Sequence, residues 1–449
     1  MGHEHHHGDA SPITDQRTQR ILTAVVGLLA VAALVGLVLL WPSSERELTA
    51  DELGLGAELV DATVSSVEDV PCFGTEEDQG FRCDLVTFDI TSGSVAGETG
   101  SFEIHVSEAA VRLSEGDDIV VGFQEEVDGP GRFFFEDFQR KVPLMALTMA
   151  FVVAVVLLGR WKGVRALLGL CVTGVVVVTF LFPSLLDGND PTLVALTAAA
   201  IIALTALYLT HGVTERTTVA LFGILVALGV TAGLAALFTE LASFTGFSSE
   251  DAFYLQVASS NVDIRGLVLA GIIIGSLGVL DDVTVTQVSA VWQIHKANPS
   301  YSIRELYRAG VSIGRDHIAS TVNTLVLAYA GASLPLLLVY TQAGRALTDV
   351  ANGELVAAEV VRTLVGSIGL VTAVPVTTAL AAWVVTKGTG RAHGHEHPTE
   401  DDDAATERVI PTAEPEAAAA ATEHEPAPAP ADEEEPHWED FAPPDRPRF

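Results

Sequence analysis

Several apolar runs of about 20 residues follow one another along this chain, and no other feature restricts its fold as strongly. At 1.5 Å per residue, such a run matches the hydrocarbon thickness of a bilayer. Lipid offers no hydrogen bonds, so the backbone of each run must satisfy itself and the run must be helical. Eight spans are read, at 21–41, 144–158, 166–182, 193–209, 218–238, 266–291, 318–340 and 360–386. The expected fold is therefore an α-helical polytopic membrane protein with eight transmembrane helices. The first run ends at Leu40-Trp41-Pro42 with no small-residue cleavage site, which reads as a retained anchor rather than a secretory signal.

Between the first and second spans the pattern changes. Residues 45–140 hold short alternating segments separated by turn residues: Ala57-Glu-Leu-Val-Asp, Cys83-Asp-Leu-Val-Thr-Phe, Gly100-Ser-Phe-Glu-Ile, Asp118-Ile-Val-Val-Gly-Phe and Arg132-Phe-Phe-Phe. Five such strands make a small all-β domain, read as an OB-like barrel with a sandwich as the rival. Cys72 and Cys83 flank an acidic loop there and would form a disulfide in an oxidising compartment; two free thiols are the alternative.

The formal net charge of −34 is unevenly placed. Residues 45–141 hold 24 acids against 6 bases, and the stretch from 398 onward holds 16 against 3. What remains between them is nearly balanced, and no basic patch offers phosphates of nucleic acid a surface, so nucleic acid is not an expected partner. Basic residues set the orientation. Arg17 and Arg20, Arg160, Lys162 and Arg165, Arg216, Lys296 to Arg315, and Lys387 and Arg391 fall on one side, with Arg140 and Lys141 discordant. Both termini are then cytoplasmic and 45–140 is extracytoplasmic, where it could meet an envelope partner. The organisation reads as a His-rich N-terminus (1–20), an anchor (21–41), the β-domain (45–140), a seven-helix membrane domain (142–387) and an acidic tail (388–449). The tail's Ala, Pro, Glu and Asp cannot bury a core.

The span 266–291 carries chemistry. Gly271, Gly275, Gly278, Asp282, Thr286 and Ser289 fall on one face at helical spacing, so a small-residue packing seam runs into a carboxylate and two hydroxyls. Asp281, Thr284 and Gln287 form a neighbouring polar face. Ionisable residues at membrane depth are costly and are commonly functional. Asp282 is the preferred ion- or proton-handling group, with Thr286 and Ser289 as oxygen donors. The rival reading ends the helix near Leu280 and places both acids at the interface as caps. On the next span His317, Thr321 and Thr324 share a face with Asn323 beside it, and Pro335 interrupts the helix. In the last span Arg362, Gly366, Gly369, Ala373 and Thr377 align. Residues 301–314 read as a separate interfacial helix opened by a Ser302/Glu305 capping box, and a short outer helix starts near Ser249.

Two His-rich tracts, with His3, His5, His6 and His7 in one and His393, His395 and His397 in the other, offer imidazoles to a divalent metal; low-complexity drift is the competing reading. No cofactor is otherwise expected. No nucleophile elbow, phosphate loop or zincin motif occurs in a suitable context, so enzyme chemistry is not expected.

Two motifs, Gly278-Val-Leu-Asp-Asp-Val-Thr-Val-Thr-Gln and Gly314-Arg-Asp-His-Ile-Ala-Ser-Thr-Val-Asn-Thr-Leu, resemble those of the YibE/F-like family of bacterial multi-pass membrane proteins. The resemblance covers roughly 140–387 and implies a plasma-membrane permease without a stated substrate. It matches Asp282 to the family's acid and treats Asp281 as a departure. The function read from the chain is thus a secondary transporter of a small solute or ion; the alternative is a non-transporting envelope assembly or sensor protein.

Overall fold

A computed structural model describes residues 16–43, 57–72, 82–106, 111–125, 127, 129, 131–248, 250–258 and 261–389. Both His-rich tracts and the acidic tail beyond 389 lie outside the described residues.

All five expected strands form: β1 (Glu58–Pro71), β2 (Arg82–Ile90), β3 (Thr99–His105), β4 (Asp118–Phe123) and β5 (Phe133–Phe138). They make one antiparallel sheet in the order β3-β2-β1-β4-β5. β1 is 14 residues long, so its first part pairs with β4 and its second with β2, with a register shift between Val64 and Ser66. Such a shift bends a strand and increases its twist. The sheet curls around Val60, Val64, Val86, Phe88, Ile119 and Val121, the inward half of the alternation. Its edge strands β3 and β5 meet through the rings of Phe102 and Phe135, 6.2 Å apart, and are not paired as strands. The result is a curled half-barrel, with aromatic side chains filling the gap that a closed barrel would bridge with backbone hydrogen bonds.

Cys72 and Cys83 are disulfide-bonded, closing the β1–β2 connection. Beside them Arg82 donates to Asp69 at 2.6 Å. That hydrogen bond holds the Asp69 carboxyl below its usual range. β5 leads directly into the helices, and Lys141 Nζ donates to Asp61 of β1 at 2.9 Å across this junction.

The helices are α1 (Gln16–Leu39), α2 (Lys141–Val176), α3 (Phe182–Leu186), α4 (Pro191–His211), α5 (Glu215–Leu241), α6 (Glu250–Ala258), α7 (Ile264–Ala297), α8 (Ile303–Ala332), α9 (Leu334–Gln342), α10 (Leu347–Asn352) and α11 (Glu354–Thr389). A π-helical turn, Val177–Leu181, joins α2 to α3. Among the described residues six helices are long and apolar enough to cross a membrane, and a seventh if the bent pair α8–α9 counts as one. Eight were expected. The difference lies in 141–186, a single helical stretch of 46 residues that holds two of the expected spans. That stretch is not straight. Arg160 has φ 51° and ψ −133°, and a Cβ on Gly163 would collide with the carbonyl oxygen of Val155. In a continuous helix those two residues would stand about 12 Å apart along the axis, so the chain turns back at Arg160.

A second difference concerns α8. The expected interfacial helix and the span after it form one helix of 30 residues, and the break falls at Ser333, where the axis bends by 62° into α9. Pro335 supplies the reason: it lacks an N–H and its ring clashes with the preceding turn, so it sits at the start of a new helix. The Ser302/Glu305 capping box is present, and Leu306 anchors the helix start with 0% exposure. The short outer helix appears as α6.

The core of the bundle joins α4, α5, α7 and α11 around residues such as Leu221, Ile224, Ile273, Leu280 and Leu370. α5 and α11 pack antiparallel through reciprocal small-residue contacts. Gly223 of α5 faces Thr377 of α11, and Gly369 of α11 faces Thr231 of α5. A Cβ on either glycine would collide with the facing threonine hydroxyl. Small residues at such points let helices without a hydrophobic driving force approach closely.

For the half-barrel two outcomes are expected. Cys72→Ala should lower its stability by about 3 kcal/mol, the loop-closure entropy of a bridge between positions 11 apart, read by denaturant unfolding with and without reductant. Arg82→Gln should raise Asp69 toward its ordinary value of 3.8 in a carboxyl NMR titration. Because the folded value is depressed, the linked stability is present above pH 3.8 and is lost as the pH falls below it; the variant should lose that dependence.

Candidate functional site

α7 starts at Asp263, whose side chain accepts from the N–H of Gly266 at 3.0 Å, and runs unbroken for 34 residues to Ala297. The reading that ends the helix near Leu280 is overturned. Asp281 and Asp282 lie at the middle of a helix about 51 Å long, well away from either end.

Rotation about the axis separates the two acids. Asp282, Thr286 and Ser289 are exposed, and so are Gly271, Gly275 and Gly278. Gly278 has no neighbour within 4 Å of a built Cβ, while Gly271 and Gly275 face only Arg362 and Tyr329, at 3.6 and 3.7 Å. The expected glycine seam of α7 is therefore not a packed seam within this chain. The faces were assigned correctly by periodicity, but burial went to the neighbouring one.

That neighbouring face holds Asp281, Thr284 and Gln287. Gln287 is 3% exposed, and its Nε2 donates to the carbonyl of Gly310 in α8 at 2.8 Å and to Thr378 Oγ1 in α11 at 2.7 Å. Thr378 in turn donates to the carbonyl of Val374 at 2.6 Å. Gly310 and Gly314 permit this approach, since a Cβ at Gly310 would come within 2.7 Å of Thr378 and one at Gly314 would strike Val374. Thr284 donates to the carbonyl of Leu280 at 2.8 Å within its own helix.

Nearer the other end of the junction, Arg362 of α11 donates to Glu359 at 2.6 Å, and both are partly buried. The contacts Gln287–Gly310 and Gly275–Tyr329 fix an antiparallel register between α7 and α8. Midway between them, Asp281 comes to the level of His317 and Thr321. Both Asp281 Oδ1 and His317 Nε2 are buried without a hydrogen-bond partner among the described residues. Thr321 donates to the carbonyl of His317 at 2.9 Å. Asn323 and Thr324 are exposed, and the Thr324 hydroxyl is used by the Ser320 carbonyl at 3.0 Å. Of the candidate residues, the fold thus brings Asp281 and His317 to one level of the bundle and leaves Asp282, Thr286, Asn323 and Thr324 on its outer surface.

A family model described as YibE/F-like protein matches residues 147–387. The chain belongs to this family. The YibE/F-like region begins within α2 and takes in the whole α7–α8 junction and α11 up to Lys387. It leaves out the anchor, the half-barrel and the tail. Searches of curated proteins and of solved structures returned no match. The region's internal polar contacts include Glu359, Gly310 and Thr378, none of which stands out in the sequence as a candidate. The Glu359/Arg362 spacing of three inside an apolar helix was the available signal for one pair. Gly310 and Thr378 gave none, being ordinary residues until their helices meet.

Gln287→Leu should remove two buried hydrogen bonds and lower stability by roughly 1–3 kcal/mol, seen as a reduced unfolding temperature in detergent. Gly314→Leu should be at least as damaging, because Val374 occupies the space. Gly278→Leu, in open space, should change that temperature little; an equal loss at both glycines would refute the assignment of the packed face.

Proposed function

We propose that this protein is a permease of the bacterial plasma membrane that moves a small solute or ion along the junction of α7, α8 and α11. The observation that carries the proposal is the pair of buried, unpartnered polar atoms, Asp281 Oδ1 and His317 Nε2, at one level near the middle of the bundle. Buried polar groups are normally hydrogen-bonded, and an orphaned pair calls for a water, an ion or a substrate as partner. A carboxylate and an imidazole can each take up and release a proton, so together they form a relay of the kind used by transporters. Asp281 replaces Asp282 as the preferred residue. Asp282 is on the outer surface, where it faces whatever surrounds the bundle.

The topology proposed with this reading has eight spans. The reversal at Arg160 supports it, since residues 141–159 and 161–186 then cross separately with Arg160, Lys162 and Arg165 at the turn. The positive-inside rule places that turn and both termini in the cytoplasm and the half-barrel outside. The strand order, with β1 between β2 and β4, supports reading the half-barrel as an OB-like barrel left open at one seam. The disulfide suits an extracytoplasmic position for that domain.

The test uses full-length protein in proteoliposomes with a pH-sensitive dye inside and an imposed proton gradient. Asp281→Asn and His317→Gln should each cut proton flux at least tenfold, with Asp282→Asn changing it less than threefold. Unchanged flux in Asp281→Asn would sink the pathway. In that case the rival reading, an assembly or sensor protein acting through its acidic outer domain, would be favoured if deleting 45–140 abolished the cellular phenotype.

A further inference from the structure

A second site lies away from the α7–α8–α11 junction. A cavity of about 620 Å³ opens where three helix ends meet, lined by Lys162 and Arg165 of α2, Thr210 and His211 of α4, and Arg216 and Thr217 of α5. Ser289 of α7 reaches its wall, together with Thr214. Three cations and a histidine thus converge on one concave space, and no Asp or Glu lines it. The one acid nearby in sequence, Glu215, is turned away and accepts a hydrogen bond from Gln19 of α1 at 2.8 Å.

These cations are not consumed by the fold. Among the described residues none of Lys162, Arg165 and Arg216 belongs to an ion pair. Arg165 gives its Nε to the carbonyl of Leu209 at 2.6 Å, which fixes the guanidinium and leaves its terminal nitrogens available. Arg216 lies over the ring of Trp292, 5.8 Å from its centroid, a contact that orients the group without neutralising it. α5 begins at this cavity, and its N-terminus adds the positive end of a helix of 27 residues. Positive residues at helix ends are ordinary on the cytoplasmic side of a membrane protein. Convergence from three elements into an acid-free cavity, with hydroxyls from Thr210, Thr214 and Ser289 between them, goes beyond that bias.

We propose that this cavity binds a phosphate-bearing anion, either the headgroup of an anionic phospholipid or a free phosphate compound. Guanidinium groups match phosphate oxygens, the ammonium of Lys162 adds a mobile point charge, and Thr210 and Ser289 line the space with neutral hydroxyls, those of Thr214 and Thr217 being bonded to each other. The volume lies in the range of small-ligand pockets. Basic pockets between membrane helices bind anionic headgroups on the same physical grounds. Because Ser289 belongs to α7, an occupant would touch the helix that carries Asp281.

The experiment uses purified full-length protein. Native mass spectrometry after reconstitution with phosphatidylglycerol or phosphatidylcholine reads the lipid arm, and calorimetric titration with inorganic phosphate reads the free-anion arm. Retention of phosphatidylglycerol over phosphatidylcholine identifies a headgroup site; phosphate binding without lipid preference identifies a free-anion site. In either arm the Lys162→Gln/Arg216→Gln pair should weaken binding at least tenfold, and the charge-keeping pair Lys162→Arg/Arg216→Lys should recover most of it. If the glutamine pair fails to fold, Lys162→Gln alone carries the test, since Lys162 is exposed and makes no ion pair, with an expected loss of about threefold. Lys387→Gln, at the end of α11 over Trp383 and outside the cavity, should leave binding unchanged. Absence of binding in both arms would overturn the proposal, as would an equal loss in Lys387→Gln, which would assign the effect to surface charge.

Discussion

Gln287 ties three helices together. A side-chain amide inside a bundle must place both ends of its dipole, and here its nitrogen bridges the backbone of α8 and a hydroxyl of α11. Its oxygen lies toward Gly314, 3.0 Å from where a Cβ would be. Lipid supplies no replacement partner, so separating the helices would leave several polar groups unsatisfied. The register of α8 against α7 follows from this contact, and with it the level of His317 along the bundle. The start of α8, capped at Ser302 and anchored by Leu306, fixes the same register from the other side.

Close approach explains the rest of the bundle. α5 and α11 meet where a glycine on each faces a threonine on the other, and α8 approaches α7 and α11 through Gly310 and Gly314. At these places the backbones come near enough for threonine hydroxyls to fill the interface; those of Thr231 and Thr378 donate to carbonyls one turn back, while that of Thr377 has no partner among the described residues. The exposed stripe of α7 has the same composition and none of this packing. Composition permits close approach; the facing helix decides whether it occurs.

Charge is segregated along the molecule. Acids concentrate in the curled half-barrel, where several are held by arginine or serine partners, as at Asp69 and Glu58. Bases gather at the helix ends where Arg160, Lys162, Arg165 and Arg216 lie. Between them the helices are apolar apart from a few groups, among them the acids of α7, Arg315, Asp316 and His317 of α8, and the Glu359–Arg362 pair. An interior so poor in charge gives each remaining polar group large leverage over packing and over any ion that enters.

Apolar runs, strand alternation, the capping box and the spacing of Cys72 and Cys83 were all legible in the residues, because each follows from local periodicity and chain chemistry. The family motifs were legible too, and the resemblance read over roughly 140–387 agrees with the family match at 147–387. Periodicity also sorted α7 into two polar faces, one with Asp282 and one with Asp281. It had no means of choosing between them, since which face is buried depends on where α8 and α11 stand. The same limit hid the continuity of α8 through Gly314, where hydropathy alone suggested separate elements; the turn at Arg160 falls between two spans that hydropathy had already separated. The residues therefore determined that a carboxylate would lie midway along a membrane helix. The tertiary structure decided that it is Asp281 whose oxygen is enclosed, because Gln287, six residues further along α7, is the residue on which the neighbouring helices close.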